Sequence, residues 1–258
     1  MNPMPAAAPS RRPFLSARWQ NLALLNYPVD DALLLPHVPP DCELDRYDSS
    51  AYVSLVAFDF LDTRVLGVRW PGFVNFPEIN LRFYVRHGDR RGVCFIRELV
   101  PQRTVAWTAR IVYNEPYQAV PMTSRTVEDD RSIEITHRVT VGGREQSLQL
   151  CGNKPAFMPA AESTEHFFKE HQWGFGRTRR GKLLIYEVRH PHWDVYRDPS
   201  LALDWDFAAA YGPGWAMLND REPQSVVFAA GSAVEVFPWN RAAFHRSQHA
   251  SEVVHELR

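Results

Sequence analysis

Residues 77 to 86, Pro-Glu-Ile-Asn-Leu-Arg-Phe-Tyr-Val-Arg, alternate between polar and apolar side chains without a break. In extended backbone successive side chains point to opposite faces, so Glu78, Asn80, Arg82, Tyr84 and Arg86 share one face and Ile79, Leu81, Phe83 and Val85 the other. The apolar face builds a core. The polar face either meets bulk water or lines the inside of a closed sheet, where buried charges demand partners or a ligand. The next strand favours the second arrangement, because Arg97 and Glu98 interrupt the apolar run Val93-Cys94-Phe95-Ile96-Arg97-Glu98-Leu99-Val100.

The chain of 258 residues is 45% hydrophobic and 12% aromatic, ample for one packed core. Net charge is −1, yet 26 of the 29 basic residues are arginines, with Lys154, Lys169 and Lys182 as the lysines. Beyond Arg177-Thr178-Arg179-Arg180 there is no basic run, which argues against a nucleic-acid partner. Cys42, Cys94 and Cys151 are scattered without metal or redox spacing, so free thiols in a reducing cytoplasm are expected. No segment has the length of a signal peptide's apolar stretch or of a membrane span.

Three stretches divide the chain: a leader over 1–13 rich in Ala and Pro, one domain over 14–240, and a polar C-terminal tail over 241–258. A strand is expected over Trp19 to Tyr27. A short helix should begin at Pro28 or Asp30 and end at the Pro36, Pro39 and Pro40 cluster. Residues 52 to 60 read as a strand buried on both faces. Strands 77–86 and 92–100 form an antiparallel hairpin around His87 to Arg91. A short helix is expected over 102–113. Strands over 132–141 and 146–150 flank the Gly142-Gly143 turn. A helix capped by Ser163 or Thr164 follows to Gln172. The last third predicts strands near 182–189, 193–197 and 225–237, with Leu201 to Tyr211 helical. The fold class is therefore α+β with mainly antiparallel strands.

Several phrases carry a resemblance: Asn26-Tyr27-Pro28-Val29-Asp30, Leu35-Pro36-His37-Val38-Pro39, Ala51 to Phe60, Pro77 to Arg86, Gly92-Val93-Cys94-Phe95, Pro116-Tyr117, His190-Pro191-His192-Trp193 and Phe228 to Phe237. In order and across roughly residues 14 to 240 they resemble the YqjF-like family, domain of unknown function 2071, within the acetoacetate decarboxylase-like superfamily. The resemblance implies a β-cone or barrel of mostly antiparallel strands with flanking short helices and a central pocket. True acetoacetate decarboxylases carry a Tyr-Pro-Lys-Lys motif after an Arg-Glu-Leu segment, and its first lysine forms the Schiff base. Here Arg97-Glu98-Leu99-Val100-Pro101 leads to Gln102 and Arg103, while a looser register places Pro116-Tyr117-Gln118 there. Neither offers an amine, and arginine cannot serve as a neutral nucleophile. Lys154 lies far along the chain, Lys169 is expected on an exposed helix face, and Lys182 begins a strand. Schiff-base decarboxylation is accordingly not expected.

Glu78 and Glu98, on neighbouring strands, are candidate general acid and base, since close carboxylates drive their pKa values apart. Alternatively each pairs with Arg82 or Arg97 and holds the interior together. Arg82 and Arg97 are in turn candidate anchors for a substrate carboxylate, with Asn80, Tyr84 and Tyr117 as further ligand-binding candidates. His190 and His192 flank Pro191, with Asp194 and His137 as conceivable further metal ligands, but core or rim histidines are the simpler account. His245 and His249 fall in the tail. No Gly-rich phosphate loop, Gly-x-Ser-x-Gly elbow or Cys-x-x-Cys pair is present. No metal and no cofactor are expected. Two functions remain: a lyase-type enzyme acting on a small organic acid, or a non-catalytic protein that binds a small carboxylate in the same pocket. Assembly into a homo-oligomer stays open.

Overall fold

The computed structural model describes residues 12–112 and 114–237. Leader residues 1–11 and the tail 241–258, with His245 and His249, lie outside the described residues. The chain begins with strand β1 (Leu15–Val29), then α1 (Asp31–Leu34), whose cap Asp30 accepts a hydrogen bond from the Ala32 N–H at 2.8 Å. β2 (Glu43–Leu44), β3 (Ala51–Val65) and the hairpin β4 (Phe76–His87) and β5 (Arg90–Val100) follow. Helix α2 (Arg103–Val112) leads to β6 (Tyr117–Ala119), β7 (Met122–Glu128), β8 (Ser132–Val141) and β9 (Arg144–Phe157). Helix α3 (Thr164–Lys169), capped by Ser163, precedes β10 (Trp173–Arg177), β11 (Leu183–Arg189), β12 (Val195–Asp204), α4 (Phe207–Tyr211) and β13 (Ser225–Phe237).

Hydrogen bonding joins β1, β3, β4, β5, β10, β11 and β13 in that order, and β13 pairs again with β1, so these strands close into an irregular ring. The pairings are antiparallel apart from β5 with β10 and β5 with β6. From β13 the sheet continues outward through β12, β9, β8 and β7. Closure requires β1 and β13 to approach tightly at Gly231, where a Cβ would stand 2.2 Å from the Trp19 carbonyl oxygen.

Alternation along the strands splits the apolar residues into two cores. Ala23, Leu25, Ile79, Leu81, Phe83 and Phe175 pack outside the ring against α4 and the outer strands. Leu22, Leu24, Val56, Phe58, Tyr84 and Trp193 point to the inside. β3, expected to be buried on both faces over 52–60, is so over residues 51–58 and serves both cores, with Asp59 half-buried. The expectation of a helix over Leu201 to Tyr211 is corrected: residues up to Asp204 belong to β12, and the helix begins at Phe207. Leu201 and Leu203 sit opposite Leu150 and Leu148 of β9, and this pairing overrides their helical propensity.

Candidate functional site

The strand that alternates so strictly supplies one wall of a cavity inside the ring. Its volume is about 150 Å³, and its walls are largely aromatic, with Trp19, Phe58, Phe60, Phe76, Phe95 and Trp193. A space of that size suits a small organic molecule rather than an isolated water. The register places Phe58 opposite Glu78, and Asn80 opposite Glu98, so carboxylates and amide gather at one level. Val105, Thr108 and Ala109 of α2 contribute to the cavity wall.

Glu78, Asn80 and Glu98 are each at most 2% exposed. Glu78 Oε1 accepts a hydrogen bond from Asn80 Nδ2 at 3.0 Å, and Oε2 accepts one from the Tyr117 hydroxyl at 3.0 Å. Tyr117 reaches this point because β6 lies parallel to β5, with Tyr117 beside Glu98. Burial raises the pKa of Glu78 to about 7, against the opposing hydrogen bonds and the nearby positive charge of Arg82. Glu98 is pushed well above the ordinary carboxylate range, first by burial and then by the charges of Glu78 and Glu115. Glu115, also in the cavity wall, is raised to about 8 by burial. Near neutral pH this group of carboxyls therefore carries much less negative charge than its composition suggests.

Arg82 is 8% exposed; it donates to the Phe168 carbonyl from one Nη at 3.1 Å, and its Nε has no hydrogen-bond partner. The expectation that Arg97 joins it in the pocket is corrected. Arg97 points the other way and donates to the Ala210 carbonyl at the end of α4, at 2.6 Å. A bulge in β5 explains this: Leu81 faces Arg97 while the next residue, Arg82, faces Phe95, so Ile96 is the extra residue. Phe95 and Glu98 then share the cavity face although three positions apart. The expected ladder of Glu–Arg ion pairs is absent among the described residues at Glu78 and Glu98.

Tyr84 also departs from its expected place. It shares a strand face with Arg82 but lies beyond the cavity, its ring against Phe167, Phe168 and His171 and its hydroxyl 2.6 Å from Ser54 Oγ. Ser54 donates onward to Asn26, and Asn26 to Ser225, tying four strands together through buried polar groups. Gln102 and Arg103, set against the decarboxylase lysines, stand at the start of α2, where Arg103 is exposed.

The largest revision concerns Lys169. Expected on an exposed helix face, it is 1% exposed, lines the cavity and forms an ion pair with Glu170. Phe167, Phe168 and Lys169 are consecutive and all buried, because the last turn of α3 is enclosed from several sides and shows no solvent face. Lys154 is ion-paired with Glu128 instead. His171, likewise in the cavity wall, has neither ring nitrogen hydrogen-bonded, and burial lowers its pKa well below the usual value. Glu115, Lys169, His171 and Tyr186 escaped sequence reasoning. The one available signal was the adjacency of Glu115 to Pro116-Tyr117. Tyr186 lies over Gly174, where a Cβ would come within 2.0 Å of its ring.

The histidines of the His-Pro-His phrase diverge. His190 stacks on Trp193 at 4.1 Å, and His192 turns outward. His137 is fully buried in β8, with its pKa lowered to about 4 by burial.

A closed ring of mostly antiparallel strands around a polar-ended cavity places this protein in the acetoacetate decarboxylase-like fold. Acetoacetate decarboxylase from Legionella pneumophila superposes with a TM-score of 0.57 at 14% identity, covering 92% of this chain and 90% of that one. An acetoacetate decarboxylase-like enzyme from Sphingomonas wittichii RW1 gives 0.58 at 13% identity, covering 93% and 99%. The enduracididine biosynthesis enzyme MppR complexed with pyruvate gives 0.57 at 13% identity, covering 92% and 96%. Within this fold the chain belongs to the DUF2071 family, described as an uncharacterized conserved protein, which it matches over residues 16–233. It is 27% identical over 179 residues to the uncharacterized protein YqjF of Bacillus subtilis, spanning 68% of this chain and 72% of that protein.

Proposed function

We propose that the cavity takes a small organic acid and breaks a bond near its carboxylate by lyase-type proton transfer. The observation that carries this reading is the placement of Glu78, with its pKa near 7, in the same wall as an arginine whose Nε is unpartnered. A base titrating near the working pH combines a useful ionised fraction with basicity. Arg82 would hold the substrate carboxylate through Nε and one Nη, a fork that matches the two oxygens. Glu78 in its ionised form would remove a proton from carbon. Glu98, held protonated by burial beside Glu78, would deliver one to the departing oxygen, so that one proton enters and one leaves the pair. Tyr117 and Asn80 orient Glu78 throughout. The mostly protonated state of Glu98 and Glu115 removes the repulsion that an anion would otherwise meet.

The alternative is binding without turnover, and it is favoured by the fact that both oxygens of Glu78 already accept hydrogen bonds. That MppR has been complexed with pyruvate supports a small acid as ligand in either reading. No helix of the described residues is long and apolar enough to cross a membrane. Three free cysteines fit a reducing cytoplasm.

Incubating the protein with a panel of small 2-oxo, 3-oxo and 3-hydroxy acids, followed by proton NMR, tests the assignment. Turnover that disappears in Glu78→Gln and in Arg82→Met is the expected result. Saturable binding with no turnover selects the alternative, and neither binding nor turnover overturns both.

A further inference from the structure

Outside the cavity, a second group of side chains converges where α3 meets the segment between β11 and β12. His166 and Glu170 are four residues apart across the end of α3, and His192 approaches from the loop after Pro191. One candidate ligand atom from each lies within 4.8 Å of the other two. The His166 and His192 rings are 5.5 Å apart at 35°, and His192 Nδ1 stands 2.8 Å from Glu170 Oε2.

We propose that His166, Glu170 and His192 bind a divalent first-row cation, zinc foremost, which fastens the 190–193 segment onto α3. Two imidazoles and one carboxylate are a donor set suited to zinc, with a fourth position left for water. Bond lengths of about 2.0–2.2 Å put neighbouring ligand atoms about 3.3 to 3.6 Å apart in a tetrahedron. Small rotations of His166 and of His192, whose side chain is 63% exposed, reach that spacing from the arrangement present.

What sets this group apart from a surface ion pair is the support behind Glu170. Its side chain is only 8% exposed, and its Oε1 accepts from Lys169 Nζ and from the Trp193 N–H, the latter at 3.2 Å. Oε2 is thereby aimed at the two histidines. Such outer hydrogen bonds to a ligating carboxylate fix its orientation, as metal sites generally require. The Trp193 N–H contact also anchors the chain one residue after His192. Trp193 itself is held by its Nε1 donating to Ser232 Oγ at 2.7 Å. The site shares no ligand with the cavity wall, so it stands independently of the proposed reaction.

The test uses the untagged full-length protein, stripped with chelator and titrated with Co(II) and Zn(II). The expected result is one equivalent of Co(II) with visible absorption of a low-coordinate site, displaced by Zn(II), and a rise in melting temperature on metal addition. Affinity should fall more than about 10-fold in His166→Ala and in His192→Ala, and stay unchanged in His190→Gln. His192 is exposed enough that its variant will fold, which circular dichroism checks. Absence of stoichiometric binding overturns the proposal. So does binding that survives in His192→Ala or is lost in His190→Gln.

Discussion

Arg82 and Phe168 are joined across the ring: the guanidinium of β4 donates to the carbonyl near the end of α3, 86 positions away, at 3.1 Å. One edge of the guanidinium is thus fixed while Nε is left facing the cavity region without a partner. An unpaired buried donor is costly, so a ligand that satisfies it gains accordingly. Small carboxylates are expected to raise the melting temperature of the wild type by a few degrees at saturating concentration. Arg82→Met should abolish the shift, and Arg97→Met should leave it intact because Arg97 serves α4. Differential scanning fluorimetry checks both; a shift that survives in Arg82→Met removes Arg82 from the site.

The carboxyl group cluster makes a pH prediction whose sign follows from linkage. Glu78 and Glu115 have folded pKa values of about 7 and about 8, above the ordinary value of 4.5, so the folded state holds their protons more tightly than the unfolded state. Their contribution is fully present below pH 4.5 and is lost as pH rises through 7 to 8. Buried His137 and His171, with lowered pKa values, act in the opposite sense, losing stability as pH falls below 6.5. The comparison that isolates Glu78 is the difference in unfolding free energy between wild type and Glu78→Gln. That difference should shift in favour of the variant between pH 5 and 8. A difference independent of pH would mean that Glu78 keeps an ordinary pKa.

Lys169 and Glu170 form a buried ion pair, and removing one partner leaves a charge without its counterpart. Lys169→Met should cost about 3 to 5 kcal/mol in urea unfolding, and the double variant with Glu170→Gln should cost less than the sum of the singles. An ammonium engaged by a carboxylate has no lone pair with which to attack a carbonyl. Incubation with pyruvate or acetoacetate and borohydride should therefore leave the intact mass unchanged. A single adduct mapping to Lys169 would show instead that the cavity amine forms an imine.

Phe83, on the face of β4 opposite the carboxylates, is fully buried among the outer core residues. Phe83→Ala should destabilise by about 3 to 5 kcal/mol. A loss below about 1 kcal/mol in chemical denaturation would contradict a packed outer core.

The period of two in 77–86 sufficed to predict both faces of β4, because alternation is a property of the backbone and is written in consecutive residues. The cap at Asp30, the Gly142-Gly143 turn and the hairpin around Gly88 were legible for the same local reason. The resemblance carried by the Pro-Glu-Ile-Asn-Leu-Arg phrase and its neighbours led to the family and the fold. Beyond this, outcomes depended on partners distant in the chain. Whether Arg97 joins Arg82 hinges on one bulge residue, and a bulge depends on how two strands pair rather than on either strand alone. Leu201 and Leu203 became strand because β9 was there to receive them. The burial of Lys169 required the ring to close around α3 and Glu170 to neutralise the charge. Glu115, the Lys169–His171 stretch and Tyr186 reach the cavity from three separate segments of chain. Local sequence determines the direction of each side chain from its own backbone; which side chains meet is decided by long-range strand pairing and by the desolvation that closure imposes.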